Sequence, residues 1–176
     1  PVWHVATTGS DQDGDGSLTS PYATIQKAIN SSYDGTGVNN RDTILVQPGL
    51  YYETLTTIGK KLLLTSTEGR DSTIIDADGD GRGFTFNQGE TAATEISGFT
   101  IRNGSTDYGA GIYVAGCSPT LSDLIITANT ASSEGGGAHY TNSESEVSNV
   151  IIDGNEAVTG GGINVSGGSV SFTNVE

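Results

Sequence analysis

Residues 105–114 read STDYGAGIYV, residues 132–141 read SSEGGGAHYT, and residues 158–167 read VTGGGINVSG. These are one passage written three times. The glycine cluster opens at Gly109, Gly135 and Gly160, so it returns every 25 or 26 residues. Self-similarity at such an interval is the mark of a stacked repeat architecture. Glycine loses the most backbone freedom on ordering and has no side chain to bury, so its repeated use needs a structural reason. Corners supply one, because a coil turning between short strands demands positive φ and close backbone approach at the same place in every repeat.

Working outward, the apolar residues keep the same beat. Ile75, Ile101, Ile126 and Ile152 are spaced by 25 or 26 residues, as are Ile96, Leu121 and Val147, then Phe99, Leu124 and Val150, then Ile112, Ala138 and Ile163. A chain that coils once per period, with strands about 4.8 Å apart, stacks these into aliphatic ladders. The spacing predicts an all-β parallel solenoid of about 25 residues per coil. Asn129 and Asn155 fall 26 apart, which predicts an amide ladder at a corner.

The N-terminal segment has a different texture. VWHVAT at 2–7 alternates like a strand, and GSDQDGDGSLTS at 9–20 is a polar loop. Residues 21–34 predict a short helix with Thr24 as N-cap and Ile25, Ala28 and Ile29 at helical spacing. Laid over the first coil, this helix caps an otherwise open strand edge. The organisation expected is therefore residues 1–41 as strand, Asp/Gly loop and capping helix, and residues 42–176 as coils. The last repeat stops midway, so the expectation is a cut chain that continues into further coils or stacks end to end.

The 176 residues carry 21 acidic and 7 basic side chains, a formal net charge of −14. That balance argues against a nucleic-acid partner and against anionic membrane surfaces. No run approaches the roughly 20 apolar residues of a membrane span. The single cysteine, Cys117, excludes an internal disulfide framework and reads as a small residue in a turn.

Two longer passages carry a family likeness. GDGSLTSPYATIQKAI at 14–29, followed by DTILVQPGLYYETL at 42–55, resembles the N-terminal cap and first coil of right-handed parallel β-helix proteins of the pectate-lyase-like superfamily. GAGIYVAGCSPTLSDLIITANTA at 109–131 and GGGAHYTNSESEVSNVIIDGNEA at 135–157 are similar to the repeats of bacterial surface β-helix proteins, including the chlamydial polymorphic membrane proteins. The resemblance covers most of the chain. It implies a right-handed helix, a secreted or cell-surface location and a glycan partner, and the superfamily holds lyases, hydrolases and non-catalytic modules alike.

Three constellations invite chemistry. Asp11, Asp13 and Asp15 in DQDGDG, and Asp76, Asp78 and Asp80 in DADGDG, resemble the first half of a calcium loop, though neither has the acid at position 12. Asp and Gly also build ordinary turns. Calcium is the cation expected if these are sites. The ladder register sets Arg102 beside Asp76; in lyases of this superfamily a basic residue takes the proton α to a uronate carboxylate while aspartate-bound calcium neutralises that carboxylate. An outward salt-bridge ladder is the plainer alternative. Tyr113, His139 and Asn164 form another column, in which Tyr113 and His139 are candidates for stacking against a sugar ring.

Bases are missing from the later coils, where an enzyme groove for an acidic glycan would collect them. The expectation is therefore a non-catalytic extracellular module, structural, adhesive or glycan-contacting, of a larger secreted or cell-surface bacterial protein. The alternative is a fragment of a calcium-dependent polysaccharide lyase or glycoside hydrolase acting on acidic polysaccharide, with Arg102 and Asp76 at its centre.

Overall fold

The computed structural model describes residues 1–33 and 41–176. Its strands are short and all their pairings parallel. One sheet stacks β1 (Val2–Val5), β2 (Asp42–Val46), β5 (Leu62–Ser66), β8 (Glu95–Arg102), β11 (Thr120–Thr127), β14 (Glu146–Asp153) and β16 (Ser171–Val175). Two further strands, β3 (Gly49–Tyr52) and β6 (Thr73–Asp76), join it where β6 pairs with the second half of β8. A second sheet stacks β4 (Leu55–Thr56), β7 (Phe84–Phe86), β10 (Ile112–Ala115), β13 (Ala138–Ser143) and β15 (Ile163–Gly168). Between them lies a two-stranded sheet of β9 (Ser105–Tyr108) and β12 (Thr130–Glu134). The result is a right-handed parallel β-helix of about five turns with a repeat near 26 residues.

The ladders form in the register that the spacing predicts. Ile75 pairs with Ile101, Ile101 with Ile126, and Ile126 with Ile152. Ile96, Leu121 and Val147 align likewise, as do Ile112, Ala138 and Ile163. Most of these side chains are buried, each worth about 1.5–3 kcal/mol of removal from water.

The glycines turn corners, and they share the work. Gly109, Gly135 and Gly160 all have φ near +60°, stacked at one corner in successive coils. Another corner is held by Asp78, Asn103, Ala128 and Gly154, and a third by Gly98, Asp123, Asn149 and Asn174, every one of them left-handed. Asn and Asp tolerate that region through local hydrogen bonds, whereas Ala128 carries a cost of about 1–2 kcal/mol. Gly104 and Gly111 are small for another reason: a Cβ there would fall on the carbonyl oxygen of Ala110 or Gly137.

The helix α1 (Ile25–Ser31) is shorter than expected and covers the first coil with Ile25, Ala28 and Ile29 buried. Thr24 is its N-cap, accepting from the Lys27 N–H, and its extended ψ of 147° stops the helix from starting earlier. Ser32 is extended again at the other end, and position 34 lies outside the described residues. Lys60 closes the C-terminus by donating Nζ to the carbonyls of Ile29, Asn30 and Ser32. Strand β1 continues the first sheet, pairing Val2–Val5 with Thr43–Val46.

Candidate functional site

Asp76 ends β6 and Arg102 ends β8, one coil later in the same column. Arg102 donates Nε to Asp76 Oδ2 at 2.8 Å, and the Asn103 amide reaches both oxygens of the same carboxylate at 2.9 and 3.0 Å. The Asp78 N–H adds a bond to Oδ1 at 2.9 Å. Asp76 is therefore sealed, its side chain 4% exposed, while Arg102 is 35% exposed. Burial by itself would push the Asp76 carboxyl up, but the Arg102 guanidinium, the Asp78 N–H and the Asn103 amide outweigh it and hold the group below its ordinary range. The left-handed turn at Asp78 and Asn103 leaves a groove of about 490 Å3 beyond the pair, lined by Asp78, Asn103, Ser105 and Thr130.

The second column also forms: Tyr113 pairs with His139 and His139 with Asn164. Tyr113 and His139 stack with ring centroids 5.7 Å apart and planes 15° apart. The Arg82 guanidinium carbon lies 4.6 Å from the Tyr113 centroid. With the imidazole and the guanidinium against it, the Tyr113 ring is already engaged by the protein's own side chains. His139 is buried, its side chain 6% exposed, because Tyr108 meets its ring at 66° and Glu134 lies 3.7 Å from Nδ1. Burial pushes the His139 imidazole down and the Arg82 cation adds to this, while the Glu134 carboxylate opposes it. Upstream, Arg82 and Thr85 line a groove of about 370 Å3 with Thr54, Thr56, Asn87 and Gln88.

The six aspartates considered for calcium are held in different ways, and not all of their carboxylates are engaged. Asp11 accepts from the N–H groups of Ala23 and Thr24 and from the Thr24 hydroxyl, tying the loop to the start of α1. Asp15 accepts from the Ser17 N–H in a local turn, and the Asp13 N–H donates to Ser10 Oγ. Asp76 is bound as above, while Asp78 and Asp80 line a shallow groove with Tyr52, Glu53 and Thr54. Among the described residues no group of three His, Cys, Asp or Glu side chains is close enough to hold a metal. As they stand these donors do not fit a calcium ion, and no step below runs through one.

Sequence reasoning missed two carboxylates that organise the fold. Glu53 receives the Ile25 and Gln26 N–H groups at 2.7 and 2.8 Å, anchoring the helix N-terminus. Glu90, buried at a corner, receives the Thr57 hydroxyl, the N–H groups of Gly59 and Gln88, and the Cys117 thiol. Burial pushes the Cys117 thiol up, and its bond to Glu90 pushes the same way. Neither acid repeats with the coil period, so no column pointed to it. Arg82 and Glu134 were also passed over; Glu134 was legible, since it precedes Gly135 as Tyr108 precedes Gly109.

No family model and no curated protein matches the sequence. Solved structures do. The pectate lyase Pel9A aligns over 99% of this chain at TM-score 0.64 and 20% identity, and a rhamnogalacturonan lyase over 99% at 0.65 and 15%. A pectin methylesterase solved with a hexasaccharide aligns over 87% at 0.56 and 16%. The chain spans 46%, 50% and 55% of those three, about half of each. The matches correct the expectation of a non-catalytic module, structural or adhesive: the solved structures that share this architecture are enzymes that bear polysaccharide names. No helix among the described residues is long and apolar enough to cross a membrane. The parallel β-helix read from the repeats, with the right hand that the resemblance implied, is thus the fold that this chain shares with these solved structures.

Proposed function

We propose that this chain is part of a secreted enzyme acting on an acidic polysaccharide, with Arg102 as the residue that receives a uronate carboxylate. The observation that carries the reading is a guanidinium about one-third exposed and fixed from behind by a buried carboxylate, next in sequence to Asn103, which lines an open groove. A cation held in place needs no reorganisation when negative charge develops on a ligand. The fold shared with two lyases supports it.

The reaction class that fits is β-elimination. A base removes the proton α to the uronate carboxylate, the electrons form a carbon–carbon double bond to the neighbouring carbon, and the bond from that carbon to the glycosidic oxygen breaks, the oxygen taking up a proton. Arg102 suits the role of stabilising the charge that builds on the carboxylate. A guanidinium is a cation under ordinary conditions and accepts no proton, so Arg102 is not the base. Asp76 and Asn103 position it.

The test is incubation with pectate, alginate and related uronates, followed by the ultraviolet absorbance of the unsaturated product. Arg102→Ala should lower kcat/KM by about 100-fold or more, the usual loss when one charge-stabilising donor is removed. Arg102→Lys should recover part of it. A wild-type chain that forms no unsaturated product from any uronate would sink the reading.

A further inference from the structure

Tyr108, Glu134 and Thr159 each stand directly before a left-handed glycine, Gly109, Gly135 or Gly160. The turn is so tight that a Cβ on that glycine would lie about 3 Å from the Cβ of the residue four further on, Tyr113, His139 or Asn164. In the middle coil this fold-back sets a carboxylate beside an imidazole. Glu134 Oε2 lies 3.7 Å from His139 Nδ1, which is sealed from solvent and has no hydrogen-bond partner. Asn164 Oδ1, one coil on in the same column, is a second such atom, and His4 Nδ1 in the first coil, which has neither an acid nor a ring of this column beside it, is the third among the described residues. Buried polar atoms are nearly always satisfied, and an orphan calls for an explanation.

The rest of the cluster holds the imidazole still. Tyr113 stacks on its face, Tyr108 meets it edge-on, and Arg82 is pinned over Tyr113 by donating Nε to the Tyr108 carbonyl at 2.8 Å. Among the described residues Arg82 has no carboxylate partner, so its charge is free to receive an anion. The orphan nitrogen, the adjacent acid, the clamped ring and the free cation make a set.

We infer that His139 is a general base, with Glu134 positioning it through Nδ1–H so that Nε2 takes a proton from water attacking an ester on an acidic glycan that Arg82 holds. A small approach of Glu134 to Nδ1 completes the hydrogen bond, and apo geometry at such pairs is commonly loose. The water oxygen then adds to the ester carbonyl as its proton passes to Nε2. The alcohol leaves with the proton that the imidazolium returns, and the ring is neutral again. Burial and Arg82 keep His139 in its neutral form, the one a base requires. This site is distinct from Arg102 and does not depend on the elimination proposed above.

Two probes separate the readings: 4-nitrophenyl acetate, which needs no glycan recognition, and methyl-esterified pectin, followed by methanol release. His139→Gln should lower hydrolysis of both by at least about 100-fold, the usual contribution of a general base. His4→Gln, in the first coil, should leave both rates unchanged. Glu134→Gln should slow both and move the acid limb of the pH profile downward, because the carboxylate that raises the imidazole is gone. Arg82→Gln should move that limb upward and raise KM for pectin alone. Nitrogen NMR of the wild-type chain should find His139 as the Nδ1–H tautomer, a readout that needs no variant to fold. The inference is overturned if the folded His139→Gln chain hydrolyses 4-nitrophenyl acetate as the wild type does, or if the ring is the Nε2–H tautomer. Loss of elimination with ester hydrolysis intact would remove the Arg102 reading alone.

Discussion

Asn155 stands one coil beyond Asn129, and its Oδ1 accepts from both the backbone N–H and the side-chain amide of Asn129, at 3.0 and 2.9 Å. Asn129 in turn accepts from the Gly104 N–H at 2.8 Å and donates to the Ile101 carbonyl. The amides thus close the corner where each strand ends. Asn129→Ala leaves several buried groups without partners, so it should cost about 3 kcal/mol in urea unfolding, against about 1 kcal/mol for the more exposed Asn155→Ala. Equal and small losses would show the ladder to be incidental.

Two glycines of the repeat should behave differently. Gly116 has φ +62° with nothing within 4 Å of its missing Cβ, so Gly116→Ala should cost only the left-handed penalty of about 1–2 kcal/mol. At Gly111 a Cβ would fall on the Gly137 carbonyl of the next coil and press on Ile126 and Asn129. Gly111→Ala should separate the coils and cost several-fold more. Melting temperatures of the two variants decide between this and a purely conformational role.

Acid should unfold the chain through a few named groups. Burial would push Glu90 up, but the Cys117 thiol, the Gln88 N–H and the Thr57 hydroxyl hold it below the carboxylate range. Asp42 is likewise held down against its burial by Trp3, the Tyr33 N–H and the N-terminal amine, and Asp76 by Arg102. A carboxyl lowered in the folded state stabilises above its unfolded pKa, and that stability is lost as pH falls through the folded value. Glu53 works the other way: burial raises it, so its ionisation removes stability as pH rises through its folded value. Stability should therefore fall steeply below about pH 4. Glu90→Gln, which sets an amide among converging donors, should flatten that fall, whereas Glu53→Gln should leave it in place.

Asp11 and Asp13 neighbour each other in one loop but should differ in effect. Asp11 carries three hydrogen bonds to the entrance of α1, whereas the Asp13 carboxylate accepts none from the described residues. Asp11→Ala should cost about 1–2 kcal/mol, as lost helix caps do, and Asp13→Ala less than about 0.5 kcal/mol. Since the Asp11 bonds are internal, its loss should be the same in calcium and in chelator. A deficit at Asp11 that appears only in calcium would restore the loop as a metal site.

The parts of this protein that repeat were legible in the sequence. The aliphatic ladders, the left-handed glycine corner, the Asn129–Asn155 contact and the columns Asp76–Arg102 and Tyr113–His139 all follow from period and spacing, and the Thr24 cap from local helix signals alone. A parallel solenoid makes this so, because residues one period apart become neighbours in register, which turns sequence interval directly into contact. Contacts between distant residues that do not repeat depended on tertiary structure. Glu53 reaches α1 across 28 residues and Glu90 reaches Thr57 across 33, intervals that belong to the irregular early coils and fall outside the 25 or 26 residue beat of the later ones. Nor did the spacing show that Asp76 and His139, on the outward columns, would be buried, since their covers are Asn103 in one case and Tyr108 and Glu134 in the other. Interval alone says which residues stack; which of them loses its water depends on how the turns between strands fold back, and that is decided only when the coil closes.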